Sequence, residues 1–224
     1  MLFSAWSDDG LTPATRSILD AGCGTGVHLE ALSTHGRVEG LDRSADMLAV
    51  ARERHPELVL HQGDFRDFEL SSRYDVICSL FGSLGYLPDR AALRAGIARL
   101  GAHLRPGGRL LIEPPIVADA FQPPQPQHLE ATLDGRRLVR AGSARVDGRN
   151  LEITFDWHHH APAGGEGSRV LECHRVLLLP AAEWLDDMTR ALPEGTRVSF
   201  DPAGPMGRGL FSARLSPGDG PGTD

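Results

Sequence analysis

A loop with three glycines at alternate positions, Gly22, Gly24 and Gly26, interrupts an apolar stretch near the start of the chain. Glycine adopts a positive φ at little cost and leaves the main chain uncovered, so a ligand can lie against free backbone N–H groups at such a loop. Asp20 stands two positions before the first glycine. Because its carboxylate would repel a diphosphate and attract an ammonium or sulfonium group, the loop favours a ligand that carries positive charge there.

A second carboxylate, Asp42, ends the predicted strand Arg37–Asp42 about 20 residues after Gly22. Doubly wound folds place at that position the acid that binds ribose hydroxyls. Asp64 and Phe65 follow the third predicted strand and offer a carboxylate for an adenine amine and an apolar face for its ring. Together these residues predict a ligand that contains adenosine. The spacing G-x-G-x-G differs from the dinucleotide pattern G-x-G-x-x-G, which disfavours a pyrophosphate-linked dinucleotide.

These side chains meet only if parallel strands bring their carboxyl ends to one edge of a sheet. Residues 17–113 have the required pattern of apolar strands alternating with helices. The later strands are predicted at 58–64, 74–80 and 109–113. A helix that contains Val27, Leu29 and Leu32 is predicted to end near residue 35, and two more are predicted at 45–54 and 91–104. A turn is predicted at 106–108, where a proline precedes two glycines.

From about residue 129 to 179 the hydrophobic period becomes two, with hairpin turns predicted at 134–135 and 147–148. These antiparallel strands leave the same edge of the sheet as the fifth strand, so they can wall a substrate pocket. The Pro-rich approach at 123–126 is predicted to be a stiff connector. A helix at 181–192 and strands at 196–201 and 210–215 are predicted to close the chain.

We therefore predict an α/β protein with a doubly wound, Rossmann-like sheet that is mostly parallel, has an antiparallel last strand and carries an antiparallel β insertion after the fifth strand. A single domain spans 1–224 and contains four predicted parts. These are a cofactor-binding core at 17–115, the β insertion at 116–179, a closing helix and strand pair at 180–215, and a disordered tail at 216–224.

Composition excludes several classes of function. The chain has 224 residues, 41% of them hydrophobic, and a formal net charge of -7, which argues against binding to nucleic acid. Cys23, Cys78 and Cys173 form no C-x-x-C pair, which favours the cytoplasm, and no apolar run approaches the roughly 18 residues of a membrane helix. Consecutive histidines at 158–160 would point to alternate faces of a strand, so we predict no metal site.

The motifs resemble those of the class I S-adenosylmethionine-dependent methyltransferases. The segments that carry the likeness are 19–26, Asp42, 63–65 and 104–110. Within that superfamily, segments 44–49, 78–87 and 204–211 are similar to the nucleotide-linked (dTDP) deoxyaminosugar N,N-dimethyltransferases of antibiotic biosynthesis. The resemblance covers nearly the whole chain from residue 18.

The resemblance implies that S-adenosylmethionine is the cofactor. The cofactor-binding residues that it implies are Asp20, Gly22, Cys23, Gly24, Thr25, Gly26, Asp42, Met47, Asp64, Phe65, Ser79 and Leu80. It also implies a catalytic and substrate-binding role for Tyr86 beside the amine and for His174 in the insertion. Glu113 is predicted to hold a substrate hydroxyl or amine, and the planar fork of Arg208 suits a diphosphate.

The predicted function is N-methylation of the amino group of a nucleotide-linked deoxyaminosugar, a small-molecule substrate. Two departures from the family pattern keep alternatives open. Residues 1–16 do not match its tyrosine-containing N-terminal segment, and Pro114 and Pro115 stand where the family has bulky aromatic residues. The alternatives are an O- or N-methyltransferase with another natural-product acceptor and a non-catalytic protein that binds S-adenosylmethionine. The oligomeric state is left open, with a homodimer as one option.

Overall fold

The structure is a computed structural model of the 224-residue chain, and it describes residues 11–122, 127–133, 136–160, 167–204 and 207–218. Its strands, numbered along the chain, are β1 (Ser17–Ala21), β2 (Arg37–Asp42), β3 (Val59–Gln62), β4 (Tyr74–Ser79), β5 (Leu104–Ile112), β6 (Gln127–Leu133), β7 (Arg136–Asp147), β8 (Asn150–His160), β9 (Ser168–Leu177), β10 (Arg197–Asp201) and β11 (Leu210–Arg214). Its α-helices are α1 (Leu29–Ser33), α2 (Ala45–Arg54), α3 (Arg90–Ala102) and α4 (Ala181–Ala191). The predicted connector at 123–126 and turn at 134–135 lie outside the described residues, as do 219–224 of the predicted tail.

Seven strands form the central sheet in the order β10-β11-β5-β4-β1-β2-β3. Strands β1 to β5 run parallel, whereas β11 pairs antiparallel with both β5 and β10. The order reverses at β1, because the chain continues to β2 and β3 on one side and to β4 and β5 on the other. Open α/β sheets bind ligands at the carboxyl ends of the strands beside such a reversal. The predicted fold class is confirmed.

Helices cover both faces of this sheet. On one face, Trp184 and Met188 of α4 and Ile97 of α3 pack in a single buried cluster. On the other face, Leu29 of α1 and Leu48 of α2 belong to a second buried cluster. Strand β1 lies between the two clusters, with its five residues buried, because both of its faces are covered.

Two predictions about local details of the core were wrong. The helix after the glycine loop starts only at Leu29 and has five residues, since turns occupy the chain before it. The predicted turn at 106–108 lies within β5, where the pairing passes from Tyr74 with Leu104 to Val76 with Arg109. Strand β5 carries three more residues than β4 over this interval, so a bulge absorbs the residues that had indicated a turn.

The insertion is a separate four-stranded antiparallel sheet in the order β6-β7-β8-β9. Strands β6, β7 and β8 are longer than the alternating pattern predicts. Directly opposed residues of an antiparallel pair point to the same face, so Gly142, Phe155 and Glu172 share one face of this sheet. The opposite face carries cross-strand ion pairs such as Arg137 with Glu130 and Arg169 with Asp156.

Candidate functional site

The glycine loop connects β1 to α1 at the carboxyl edge of the central sheet. Gly22, Gly24 and Gly26 all have positive φ, at 83°, 54° and 79°. The N–H of Gly22 donates to the carbonyl of Leu41 at 2.7 Å, which fixes the loop to the end of β2. A Cβ added at Gly24 would meet nothing within 4 Å, so this part of the loop faces open space. The loop therefore presents uncovered backbone next to the reversal in strand order.

Asp42 is the acid at the end of β2, and backbone donors hold both of its oxygens. Oδ2 accepts from the N–H of Gly24 at 2.8 Å, and Oδ1 accepts from the N–H of Ser44 at 2.9 Å. A carboxylate has about four acceptor positions, so each oxygen keeps one for a further donor. Asp42 lines a cavity of about 110 Å³, and its fixed orientation suits a pair of ribose hydroxyls.

Asp64 and Phe65 line the same cavity. The side chain of Arg66 donates to Oδ1 of Asp64 at 2.8 Å and to Oδ2 at 3.0 Å. This hydrogen-bonded guanidinium holds the pKa of Asp64 below its ordinary value, so the carboxylate stays ionised at neutral pH. An ionised acceptor beside an aromatic ring can hold both the amine and the ring of an adenine.

Asp20 lies beneath the glycine loop at the end of β1. It is 1% exposed, and desolvation raises its pKa to about 7, against the smaller opposing effect of a hydrogen bond from Cys78. Its Oδ2 is buried and has no hydrogen-bond partner within the described part of the chain. An incompletely satisfied buried carboxylate costs free energy, and a cation bound at the loop would reduce that cost. The donors, the acids and the glycine backbone of this site therefore fit an adenosine ligand with a positive charge.

The other predicted cofactor side chains lie in the loop or near it and do not line that cavity. Cys23 is buried, and desolvation raises the pKa of its thiol to about 12, so it offers no thiolate nucleophile at neutral pH. Thr25 accepts a hydrogen bond from Arg54 at 3.1 Å, and Met47 is 47% exposed on the first turn of α2. Ser79 and Leu80 are buried at the end of β4.

Tyr86 lies between this cavity and a second one. It ends the 3-10 turn Ser83–Tyr86 that follows β4, and it is a lining residue of both cavities. The second cavity has a volume of about 540 Å³, and its walls come from the central sheet edge and the insertion. Tyr86 therefore stands where a molecule in one cavity meets a molecule in the other.

His174 of β9 reaches Tyr86 from the insertion. Its Nδ1 lies 2.9 Å from the Tyr86 hydroxyl, and its ring packs edge-on against Phe155 at 5.6 Å between centroids. Desolvation, with a smaller contribution from the Glu172 carboxylate, raises the pKa of Tyr86, so the phenol stays protonated at neutral pH. Glu172 accepts a hydrogen bond from Nε1 of Trp157 at 3.0 Å. The structure thus brings together the two predicted catalytic residues, which are 88 positions apart in the sequence.

Arg208 lines the second cavity, where its guanidinium lies 4.2 Å from the centroid of the Phe81 ring. The Arg140 guanidinium similarly lies 4.6 Å from the centroid of Phe155, another lining residue. Among the described residues, neither arginine has a carboxylate partner and the lining of this cavity contains no acid. Two unpaired guanidinium groups stacked on aromatic rings leave their N–H edges available to an anion.

Glu113 lies directly after β5, but it lines neither cavity. It is 2% exposed, and its Oε2 accepts from the N–H of Phe81 at 2.7 Å.

Sequence reasoning missed Phe81, Arg140, Phe155 and Glu172 as parts of this site. The alternating pattern of the insertion held a signal for one of them, because it places Ile153, Phe155 and Trp157 on the same face of a strand.

Two negative findings concern the described residues only. No group of three histidine, cysteine, aspartate or glutamate side chains is arranged to hold a metal ion. No helix is both long enough and apolar enough to cross a membrane.

Comparison with known proteins identifies the family. Residues 18–108 match the family described as "Methyltransferase domain". The dTDP-3-amino-3,6-dideoxy-alpha-D-glucopyranose N,N-dimethyltransferase of Streptomyces fradiae is 37% identical over 204 residues, which are 90% of this chain and 78% of that protein.

Two solved structures share the fold over nearly the same extent. Streptomyces venezuelae DesVI has a TM-score of 0.82 at 35% identity, covering 92% of this chain and 85% of that one. A SAM-bound amino pentose methyltransferase from Micromonospora echinaspora, involved in calicheamicin biosynthesis, has a TM-score of 0.82 at 32% identity, covering 91% and 85%. The chain therefore belongs to the S-adenosylmethionine-dependent methyltransferases, within the family that includes the dTDP-aminosugar N,N-dimethyltransferases.

Proposed function

We propose that this enzyme transfers methyl groups from S-adenosylmethionine to the amino group of a dTDP-linked deoxyaminosugar. The observation that carries the proposal is the position of Tyr86, which lines both the cavity at the glycine loop and the second cavity. A methyl group passed from one bound molecule to another must cross at such a boundary. The relative from Streptomyces fradiae, whose name states an activity of this kind, aligns with 90% of the chain.

The cavity at the glycine loop is the proposed cofactor site. Asp42 would hold the ribose, Asp64 and Phe65 the adenine, and Asp20 would lie beneath the positively charged end. S-adenosylmethionine supplies there a methyl group on a sulfonium, which is open to attack by the lone pair of a neutral amine. We propose contributions to the shape of this site, rather than direct hydrogen bonds, for Cys23, Ser79 and Leu80, because they are buried away from the cavity.

The second cavity is the proposed acceptor site. Its walls combine apolar side chains such as Ile153, Phe155 and Val176 with the cation of Arg208. A deoxysugar has few hydroxyl groups to satisfy, which suits the apolar part, and a diphosphate requires cationic donors without a competing acid. Arg208, with Arg140 stacked on the adjoining Phe155, supports an anionic substrate.

Tyr86 and His174 would orient the neutral amine and accept a proton from its methylated, cationic product. In our proposal the amine donates one N–H to the Tyr86 oxygen while its lone pair points towards the cofactor cavity. As the N–C bond forms, the bond between the methyl carbon and the sulfonium sulfur would break, and S-adenosylhomocysteine would leave as a neutral thioether. The nitrogen is then cationic, and the Tyr86 oxygen takes its proton as the phenol proton moves to Nδ1 of His174. The tyrosine is thus restored as a hydroxyl and the imidazole becomes an imidazolium. A second methyl transfer requires that this proton then leave to solvent.

Labelled methyl transfer tests the proposal directly. We expect the purified protein to transfer label from S-adenosylmethionine to dTDP-3-amino-3,6-dideoxyglucose, and to leave the analogue with a hydroxyl at the 3-position unlabelled. Free S-adenosylhomocysteine should bind in the absence of any acceptor. Label on the hydroxyl analogue would instead identify an O-methyltransferase, and binding without turnover on any acceptor would identify a non-catalytic protein.

We also propose that the enzyme works in the cytoplasm, as expected of a protein whose three cysteines are free thiols.

A further inference from the structure

The loop that presents Tyr86 begins in a strained conformation. Phe81 has φ of +55°, and within the described residues it is the single non-glycine residue with a positive φ. A side chain with a Cβ disfavours this left-handed conformation, so neighbouring contacts must hold Phe81 in it. The 3-10 turn Ser83–Tyr86 starts two residues later, so the conformation of Phe81 determines where Tyr86 lies.

Glu113 supplies the contacts at this point. Its Oε2 accepts from the N–H of Phe81 at 2.7 Å, and its carbonyl accepts from the N–H of Gly82 at 3.1 Å. Its own N–H donates to the carbonyl of Ser79 at 2.9 Å, on the strand that leads into the loop. One residue at the end of β5 therefore holds the last residue of β4 and the first residues of the loop together.

Pro115, two residues after Glu113, packs against the same loop. A Cβ at Gly82 would lie 2.6 Å from Cα of Pro115, and a Cβ at Gly85 would lie 2.5 Å from its Cγ. Both positions must therefore be glycine for the loop to pack this closely. Glu113 fixes the loop by hydrogen bonds and Pro115 fixes it by contact, so the segment 113–115 determines the path of residues 81–86.

The Glu113 carboxylate does not reach the cavity proposed for the substrate that accepts the methyl group. Its residue is 2% exposed and lines neither cavity, and its Oε1 is buried without a hydrogen-bond partner among the described residues. The two side chains that depend on the loop do reach the acceptor cavity. Phe81 stacks with Arg208, and Tyr86 meets His174.

We infer that Glu113 is a positioning residue that holds Phe81 in its left-handed conformation, and thereby sets the Tyr86 hydroxyl against His174 and the Phe81 ring against Arg208. This role replaces the direct contact with a substrate hydroxyl or amine that the sequence predicts for Glu113. The inference rests on the proposed function, since it treats Tyr86 and Phe81 as parts of the acceptor site.

Two variants separate the positioning role from a direct contact. Glu113→Gln keeps a side-chain oxygen that can accept a hydrogen bond from the Phe81 N–H, whereas Glu113→Ala removes this hydrogen-bond acceptor. Glu39→Gln is the matched control, because Glu39 is also a sheet carboxylate that accepts hydrogen bonds, from Tyr74 and His61, but lies on β2 away from the loop.

Amide hydrogen exchange of the enzyme without substrate is the first measurement. In Glu113→Ala we expect the Phe81 amide to exchange at least about 10-fold faster, with β1 and α3 unchanged. Glu113→Gln and Glu39→Gln should keep the protection of wild type at Phe81. Unchanged exchange at Phe81 in Glu113→Ala would overturn the inference, whatever the enzyme methylates.

Kinetics with the aminosugar acceptor is the second measurement. We expect Glu113→Ala to lower kcat and raise the acceptor KM, with binding of S-adenosylhomocysteine changed less than about 3-fold, and Glu113→Gln to restore most of kcat. Equal loss of activity in both variants, with Phe81 protected in Glu113→Gln, would show a direct charge contact and overturn the inference.

If Glu113→Ala does not fold, Glu113→Gln alone decides, because only the direct contact predicts its inactivity. Absence of turnover by wild type would contradict the proposed function, and exchange at Phe81 would still decide the role of Glu113.

Discussion

The hydroxyl of Tyr86 lies 2.9 Å from Nδ1 of His174 and joins the loop after β4 to the β insertion. Removing this hydroxyl in Tyr86→Phe leaves the ring in place but removes the group that we propose to orient the amine and to accept the proton of the methylated nitrogen. We expect kcat to fall about 100-fold, at the low end for a general base, with binding of S-adenosylhomocysteine unchanged. Steady-state kinetics and calorimetry measure the two effects.

The chain offers a matched control, because it has just two tyrosines. Tyr74 is 1% exposed and donates to Glu39 at 2.8 Å, so Tyr74→Phe should lower stability and leave kcat unchanged in the folded enzyme. Equal kcat values for Tyr86→Phe and wild type would exclude a part for this hydroxyl in the reaction.

Arg208→Ala should raise the KM for a dTDP-linked sugar about 10- to 100-fold, because a charge-assisted hydrogen bond to a diphosphate is lost. The KM for a sugar acceptor without phosphate should stay the same. Arg137→Ala is the control, since Arg137 lies on the charged face of the insertion and pairs with Glu130. A similar rise in KM for both kinds of acceptor would mean that Arg208 shapes the cavity without contacting phosphate.

Asp42→Ala should weaken binding of S-adenosylhomocysteine by on the order of 2 to 4 kcal/mol. Two losses contribute, because the ribose acceptor disappears and the N–H groups of Gly24 and Ser44 lose their partners. Asp42→Asn keeps one acceptor oxygen and should lie between wild type and Asp42→Ala in calorimetric titrations. Wild-type affinity in both variants would remove Asp42 from the cofactor site.

The sequence was sufficient to predict the central sheet and the acids along its edge. Short-range signals carry this information, since the spacing of Gly22, Gly24 and Gly26 requires a tight loop and Asp42 stands about 20 residues after Gly22, where doubly wound folds place an acid. The antiparallel insertion was also predictable, because its alternating period and the turn at 147–148 are local features. The bulge in β5 was not, since the register with β4 decides whether 106–108 turns the chain or lies within a strand.

The contacts between side chains in the second cavity, the proposed acceptor site, could not be predicted from the sequence. Tyr86 and His174 were predicted individually from the resemblance, but their hydrogen bond depends on how the insertion folds over the sheet edge. The stacking of Arg208 on Phe81 joins residues that lie far apart in the chain, and no local pattern marks such a pair. The burial of Glu113 and its hydrogen bond from Phe81 were not predictable. A carboxylate at a strand end gives the same sequence pattern whether it faces a cavity or accepts a hydrogen bond from a backbone N–H.

Asp187→Asn should destabilise the fold by about 3 kcal/mol, because it removes the buried charge that joins α4 to α3. Asp187 is fully buried and receives hydrogen bonds from Arg90 and Arg94 at 2.8 to 3.0 Å. Asp186→Asn is the control on the same helix, since Asp186 is 45% exposed and should cost less than about 1 kcal/mol. Urea unfolding measures both, and equal midpoints for the two variants would contradict a special role for the buried ion pair.

Asp20→Asn should make the free enzyme more stable at pH 8 and less able to bind its cofactor. Burial raises the pKa of Asp20 from 3.8 to about 7, so the folded state holds this proton more tightly than the unfolded chain does. The wild type therefore loses stability as the pH rises from about 4 to 7, by on the order of 4 kcal/mol in total, and Asp20→Asn lacks this loss. Urea unfolding at pH 4.5 and pH 8 should show that the free energy of unfolding of the variant, relative to wild type, grows with pH, while calorimetry at pH 8 should show weaker binding of S-adenosylmethionine.

Because an asparagine does not titrate, any cost of burying its amide is the same at both pH values and cannot produce the trend. A stability difference that is constant with pH would show that Asp20 is already ionised in the folded protein. An increase with pH, together with lost affinity, would mean that the fold tolerates a destabilising buried carboxylate because the positively charged methyl donor requires it.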